Sequence, residues 1–172
     1  AGGASLHHPD ATRLDAAPGK MKEPSPEVAR EGFSKHIGDC EQVLQDAFRD
    51  VRLEFCRLHP DYDLHVDYTW RGPVLQMALF QKGREWRNGE WVLVDPTKKV
   101  TDKDGTIKKG KHNFYPSKAA DIYIKLGRDI LWGTDLVQQA LYVELAGLWK
   151  AHGVASGALW KTFKDWPHVE VA

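Results

Sequence analysis

Two hydrophobic periods follow each other directly in this chain, and their order restricts the fold more than any other feature. From about Ser34 to Leu58 the apolar residues Ile37, Cys40, Val43, Leu44, Ala47, Phe48, Val51, Phe55 and Leu58 recur at three-to-four spacing, which predicts one long amphipathic helix. That pattern stops near His59-Pro60. Leu64, Val66, Tyr68 and Trp70 then alternate with His65, Asp67, Thr69 and Arg71, the period-two signature of a strand.

The remaining elements are read in the same way. Pro73 is suited to the first turn of a second helix, running through Leu75, Ala78, Leu79 and Phe80 to Gly83. Between Arg84 and Lys111 the chain becomes Trp-rich and then Lys- and Gly-rich, with Asn88-Gly89 between Trp86 and Trp91 predicting a hairpin. So long an excursion in a compact domain is expected to be functional or mobile. Ala119 to Lys125 reads as a core strand. Thr134 to Gly153 reads as a helix with Leu136, Ala140, Leu141, Leu145, Leu148 and Trp149 inward and Gly153 as its C-terminal cap. A short strand in His168-Val169-Glu170-Val171 closes the chain, and no internal repeat is visible. The expectation is a single α+β domain over residues 21–172: a small antiparallel sheet packed by the first long helix and the helix near 134–153.

Composition narrows the function classes. The 172 residues are 42% hydrophobic and 28% charged, as in a soluble globular domain large enough to fold without disulfides. With 24 Lys+Arg against 24 Asp+Glu, the basic excess that usually marks nucleic-acid binding is missing. No window approaches the roughly 18 apolar residues of a membrane helix, and the N-terminus lacks the apolar centre of a signal peptide. Residues 1–20 are small, polar and aperiodic, and Met21-Lys22-Glu23-Pro24 reads as a natural start, so 1–20 are expected to be an expression leader or a tail, His7 and His8 with them. Cys40 and Cys56 would lie about 24 Å apart on one continuous helix, too far for a disulfide. Neither belongs to a Cys-x-x-Cys pair, so both read as small buried hydrophobes.

Metal-type ligands stand in suggestive surroundings at His112, Asp121 and His168. Two imidazoles and a carboxylate make a catalytic zinc shell with a fourth position left for water. A lone His among eight carries little weight. Here the context adds to it: His112 leaves a loop, Pro116-Ser117 imposes a turn, and Asp121 stands amid Ala119, Ala120, Ile122 and Ile124, where a carboxylate needs a partner. Asp165 precedes His168 by three residues, which in a straight strand would put the two on opposite faces, so they can share a site only if the chain bends at Trp166-Pro167. A carboxylate there is either a turn residue or the base of a hydrolase, taking a proton from a water whose pKa zinc lowers to about 7.

These residues resemble the D-alanyl-D-alanine carboxypeptidase (VanY-type)/L-alanyl-D-glutamate peptidase family of peptidoglycan-cutting zinc enzymes, which includes phage endolysins, within the wider lysostaphin/carboxypeptidase/hedgehog group. The resemblance runs from about Asp63 to Val171 and rests on three ordered motifs, TWRGPVLQMALFQKGR, KHNFYPSKAAD and GALWKTFKDWPHVE. It implies a hedgehog/D,D-peptidase-like fold, one catalytic zinc ion on His112, Asp121 and His168, Asp165 as general base, and Arg71 holding the scissile carbonyl or the oxyanion. Ser117 and Gln76 are implied for substrate contact or site support, and Glu170 as the carboxylate that orients a ligand imidazole. Many relatives carry Ser two residues before the first ligand His. Gly110 occupies that place here, which removes the contacts credited to the hydroxyl.

The activity implied is hydrolysis of a bond in the peptidoglycan stem peptide, first as the L-alanyl-D-glutamate endopeptidase of a phage lysin, and second as a D-alanyl-D-alanine carboxypeptidase. Made in a host cytoplasm, such a lysin would act as a monomer on the cell wall from the periplasmic side, without nucleic acid and without inserting in the membrane. Seven tryptophans also fit a non-catalytic zinc-containing wall-binding module, with Trp86 and Trp91 facing the substrate and Trp149 in the core. Such a module has no need of an acidic base, and Asp165 therefore favours an enzyme. An iron(II) oxygenase shell ranks third, because its His and carboxylate usually stand two residues apart, whereas His112 and Asp121 are nine apart.

Overall fold

The computed structural model describes residues 23–172, so the expectations for residues 1–20, His7 and His8 among them, lie outside the described residues. In chain order the elements are α1 (Pro26–Glu31), α2 (Gln42–Leu58), β1 (Tyr62–Tyr68), α3 (Pro73–Gln81), β2 (Arg84–Arg87), β3 (Glu90–Leu93), β4 (Ala119–Leu126), β5 (Asp129–Leu131), α4 (Leu136–Ala151), β6 (Ala155–Ser156) and β7 (His168–Glu170). Short 3-10 turns occupy Ile37–Asp39, Pro96–Lys98, Lys111–Asn113 and Gly157–Leu159. The architecture is α+β. An antiparallel sheet in the order β1-β4-β7-β6, with β5 added to the far end of β4, is packed by α2 and α4.

Register explains how one sheet serves two purposes. Leu64 pairs with Ile124, Val66 with Ile122 and Ala120 with Val169, and all six are in or against the core with Leu44, Ala47, Val51 and Phe55 of α2 and Tyr142, Leu145, Ala146 and Trp149 of α4. Alternation sends the intervening residues to the opposite face, where His65 pairs with Tyr123 and Asp121 with His168. Burying an aliphatic or phenyl side chain as completely as Leu44 or Phe55, both 0% exposed, contributes about 1.5–3 kcal/mol each. A register shift between Val66 and Tyr68 brings Tyr68 opposite Asp121, and such irregularities re-aim the chain that follows. Thr69 and Trp70 are buried beyond it.

Several expectations are corrected at element ends. The first long helix starts at Gln42, because Ile37 belongs to a 3-10 turn and Cys40 is extended, bridging to Ser117. Val43 and Leu58, expected inward, are 55% and 43% exposed, since the buried stripe is narrower than the apolar one. Cys40 is buried as expected, and burial pushes its thiol up to about 12. Cys56 is half-buried against Asp63, which a bidentate ion pair from Arg52 also holds, at 2.7 and 2.8 Å, tying α2 to β1.

Helix α3 begins at Pro73 as predicted, yet its buried residue is Gln76 and none of Leu75, Ala78, Leu79 or Phe80. It packs on the hairpin and loop beside it, outside the two main layers, so its apolar residues meet little to cover them. The hairpin forms where Asn88-Gly89 places it, with φ of 50° and 88° as a type I′ turn requires, and Trp86 pairs with Trp91 at 5.4 Å between ring centroids. Its two strands make a separate sheet from the one bearing Asp121 and His168.

At α4 the Asp135 carboxylate caps the helix by accepting from the Gln138 N–H at 2.9 Å, so the helix begins after Thr134. Leu136, at 83% exposed, and Ala140 face solvent, because the stripe that meets the sheet is Tyr142, Leu145, Ala146 and Trp149. The far end closes as predicted at Gly153, with φ of 73° and N–H groups of Gly153 and Val154 returning to the carbonyls of Lys150 and Trp149. Among the described residues no helix is long and apolar enough to cross a membrane.

Candidate metal centre

His112, Asp121 and His168 come from three elements that are far apart in sequence. Asp121 and His168 are cross-strand partners on β4 and β7, and His112 lies in the 3-10 turn Lys111–Asn113. That turn is held on one side by the Arg71 N–H donating to the His112 carbonyl at 2.9 Å, and on the other by the Asn113 side chain, which donates to the Arg71 carbonyl and accepts from the Gly110 N–H. All three candidate ligands are at least nine-tenths buried, whereas the sequence alone suggested that His112 leaves a loop.

Their facing atoms form a nearly equilateral triangle. His112 Nε2 is 3.2 Å from Asp121 Oδ1 and 3.3 Å from His168 Nδ1, and His168 Nδ1 is 3.3 Å from Asp121 Oδ1. The outer nitrogen of each ring has its own acceptor: His112 Nδ1 donates to the Thr69 carbonyl at 2.5 Å, and His168 Nε2 donates to Glu170 Oε2 at 3.0 Å. With those protons outward, each ring turns a lone pair inward towards the carboxylate oxygen. Three lone pairs converging in a buried space repel unless a cation lies among them, and these residues could hold a metal ion. In a tetrahedral shell with bonds of about 2.0–2.1 Å the ligand atoms are about 3.3–3.4 Å apart, which the edges of this triangle match.

Electrostatics point the same way. Burial works against ionisation of Asp121, but His112, His168 and Arg71 outweigh it and hold the carboxyl well below the usual carboxylate range. Burial likewise works against a charged His168, but its hydrogen bonds to Asp121 and Glu170 prevail and raise it to about 9. Without a metal, a proton on His168 is therefore the charge that relieves the cluster. Glu170 is lowered chiefly by the same hydrogen bond to His168.

The other expected residues divide by what their polar atoms meet. Arg71 Nη2 donates to Asp121 Oδ2, which leaves Oδ1 of that carboxylate for the triangle, and its guanidinium lies over the Tyr68 ring at 5.3 Å. The chain bends at Trp166-Pro167, where the His168 N–H returns to the Asp165 carbonyl at 3.2 Å, and the Asp165 carboxyl lies near enough to Asp121 to feel its charge. Burial first, then the charge of Asp121, raises the Asp165 carboxyl above the ordinary carboxylate value.

Ser117 and Gln76 are both buried with their polar atoms hydrogen-bonded. Ser117 is 0% exposed, with its hydroxyl 2.7 Å from the Ala119 carbonyl and 3.1 Å from that of Thr69. Gln76, 3% exposed, donates to the Lys103 carbonyl at 2.8 Å and accepts from Asn113 at 3.3 Å. Trp86 and Trp91 are engaged with each other on the separate hairpin.

Residues outside the expected set also build the centre. Thr69 contributes only its backbone carbonyl, which no side-chain pattern reveals. Trp160 lies with its ring 5.0 Å from that of His168. Gly157, read from sequence as structural, is the floor under the Asp165–His168 turn: a Cβ there would lie 3.0 Å from Asp165 Cβ and 3.2 Å from His168 Cβ and would collide with the Asp165 carbonyl.

No protein-family model matches the chain. Among solved structures it is similar to the crystal structure of the Serratia marcescens L-Ala D-Glu endopeptidase ChiX, with a TM-score of 0.44 and 16% sequence identity, covering 84% of this chain and 95% of that one.

Proposed function

We propose that this protein is a zinc peptidase that hydrolyses a peptide bond in the peptidoglycan stem, as the L-alanyl-D-glutamate endopeptidase of a phage-type lysin. The observation that carries the reading is the triangle of inward lone pairs on His112, Asp121 and His168, with the raised carboxyl of Asp165 beside it. A zinc ion on His112 Nε2, Asp121 Oδ1 and His168 Nδ1 would supply Lewis acidity and lower the pKa of water to about 7.

This chain's own residues account for the remainder. Glu170 and the Thr69 carbonyl hold the two imidazoles in the tautomers that ligation needs. Asp165 accepts the proton of the attacking water and delivers it to the leaving amine, a role suited to a carboxyl whose pKa lies above the ordinary range. Arg71 is anchored through Nη2 on Asp121, and its guanidinium favours the negative charge that develops on the scissile carbonyl oxygen. The three ordered motifs of the sequence support a peptidoglycan peptidase.

Mass spectrometry of purified peptidoglycan digested with and without a chelator tests the reading. A new amino terminus on D-glutamate, abolished by chelator and restored by zinc, is the expected result. Release of terminal D-alanine would reassign the enzyme as a carboxypeptidase, and wall binding without any metal-dependent product would make it a non-catalytic module.

A further inference from the structure

The chain as a whole is neutral, yet residues 98–111 hold six lysines and two aspartates. The structure separates those charges. Asp102 is paired with Arg84 at 2.9 Å and Lys99 at 2.6 Å, and Lys98 with Asp95 at 3.1 Å. Asp104 is turned into its own loop, where Oδ1 accepts from the backbone N–H groups of Thr106, Ile107 and Lys108 at 2.7, 2.8 and 3.1 Å. Lys103, Lys108, Lys109 and Lys111 enter no ion pair among the described residues. Both carboxylates are thus engaged, while Lys103, Lys108 and Lys109 are exposed and Lys111 is half-buried.

The segment is braced against the centre. Gly105, with φ of 88°, packs on the Gln76 side chain, and Gln76 in turn holds the Lys103 carbonyl and Asn113. Arg84 donates to the carbonyls of Phe80 and Thr101. The stem of Lys103 lies against Gly110, and Lys111 precedes His112 in the same 3-10 turn. A frame held at so many points presents its charges with little ordering left to do when a ligand binds.

We propose that residues 103–111 form a carboxylate-recognition element, in which Lys103, Lys108, Lys109 and Lys111 receive the free carboxylates of an acidic stem peptide beside the His112–Asp121–His168 cluster. This rests on the peptidase reading and names the chemistry by which that site selects its substrate. A glutamyl residue linked through one carboxyl keeps the other, so a stem cut at D-glutamate carries negative charge next to the scissile bond. Lysine suits that contact as a mobile point charge, one that steers an anion without demanding bidentate geometry.

The test compares the metal-loaded full chain with K103Q/K108Q/K109Q, on two synthetic stem peptides that differ only in whether the D-glutamyl carboxylate is free or amidated. Lys111 is left in place because it neighbours His112. The expected result is a KM about tenfold higher for the variant on the free-carboxylate peptide, with kcat and zinc content unchanged, and little change on the amidated one, a difference that added salt erases. An equal KM shift on both peptides, or none, overturns the proposal. Loss of binding to anionic phospholipid vesicles with KM unchanged also overturns it and assigns the lysines to a membrane surface. If the wild-type protein cleaves neither peptide, the peptidase reading fails by itself, and fluorescence-polarisation binding of the two peptides then decides. A preference for the free carboxylate that the variant loses sustains the element, and no preference overturns it.

Discussion

The imidazoles of His112 and His168 face each other with Nε2 and Nδ1 3.3 Å apart, while the other nitrogen of each ring is committed to a backbone carbonyl and to Glu170. Opposite nitrogens are therefore offered by the two rings, and the tautomer of each is set from outside the cluster. Because Glu170 fixes the His168 ring, Glu170→Gln should weaken zinc binding by about 10–100-fold with the fold intact. Competition with a chromophoric chelator measures this, and an unchanged affinity would remove Glu170 from the site.

Acid and metal should compete for His168. Its folded-state pKa of about 9 lies above its ordinary 6.5, so the contacts of the charged ring stabilise the metal-free protein fully below about pH 6.5 and are lost as pH rises through about 9. Zinc needs the neutral ring, so apparent affinity should climb with pH over the same window, by about tenfold per unit for one displaced proton. Calorimetry in buffers of different ionisation enthalpy counts that proton; zero protons released at pH 7 would contradict the assignment.

Asp165→Asn should keep zinc and lose most turnover, while His112→Ala and His168→Ala should lose both. Metal analysis alongside peptide hydrolysis separates the two outcomes. Zinc loss in the Asn variant, or full activity, would end the role of Asp165 as base.

Gly157→Ala adds a single methyl group where Asp165 and His168 leave no room for it. Displacing that turn by even about 1 Å can cost on the order of 100-fold in rate. The expected variant is folded, with reduced zinc affinity and reduced kcat together. Wild-type kinetics would show that the turn can yield.

Stability offers an independent check on the layers. The Tyr142 hydroxyl donates to the Leu131 carbonyl at 2.7 Å and accepts from the Ile124 N–H at 3.3 Å, joining α4 to β4 and β5. Tyr142→Phe removes both and should cost about 1–3 kcal/mol, because the Ile124 N–H left behind is buried. Urea unfolding reads this directly, and a loss below about 0.5 kcal/mol would mean water replaces the hydroxyl.

Local chemistry made much of this protein legible in advance. Asn88-Gly89 specifies its hairpin because few other residue pairs accept two positive φ values, and Gly153 ends α4 for the same reason. Period-two alternation marks β1, the apolar run of 119–125 marks β4, and the oddity of Asp121 within that run makes it a candidate ligand. What a neighbouring element covers is not written in a helix's own residues. Leu136 and Ala140 continue an apolar pattern into solvent, and Gln76 is the buried residue of an otherwise apolar α3, because burial depends on what lies across from a face.

The candidate centre divides along the same line. Residue type and local surroundings make His112, Asp121, Asp165 and His168 candidates, since such side chains can ligate a metal or move a proton. Tertiary structure alone decided that β4 and β7 pair Asp121 with His168, that the Thr69 carbonyl and Glu170 set the ring tautomers, that Ser117 and Gln76 are buried among their hydrogen-bond partners, and that Gly157 makes room for the turn. The physical reason is range: propensity, capping and turn chemistry act over a few neighbouring residues, whereas a backbone carbonyl 43 positions from the imidazole it orients is placed only by the register of a folded sheet.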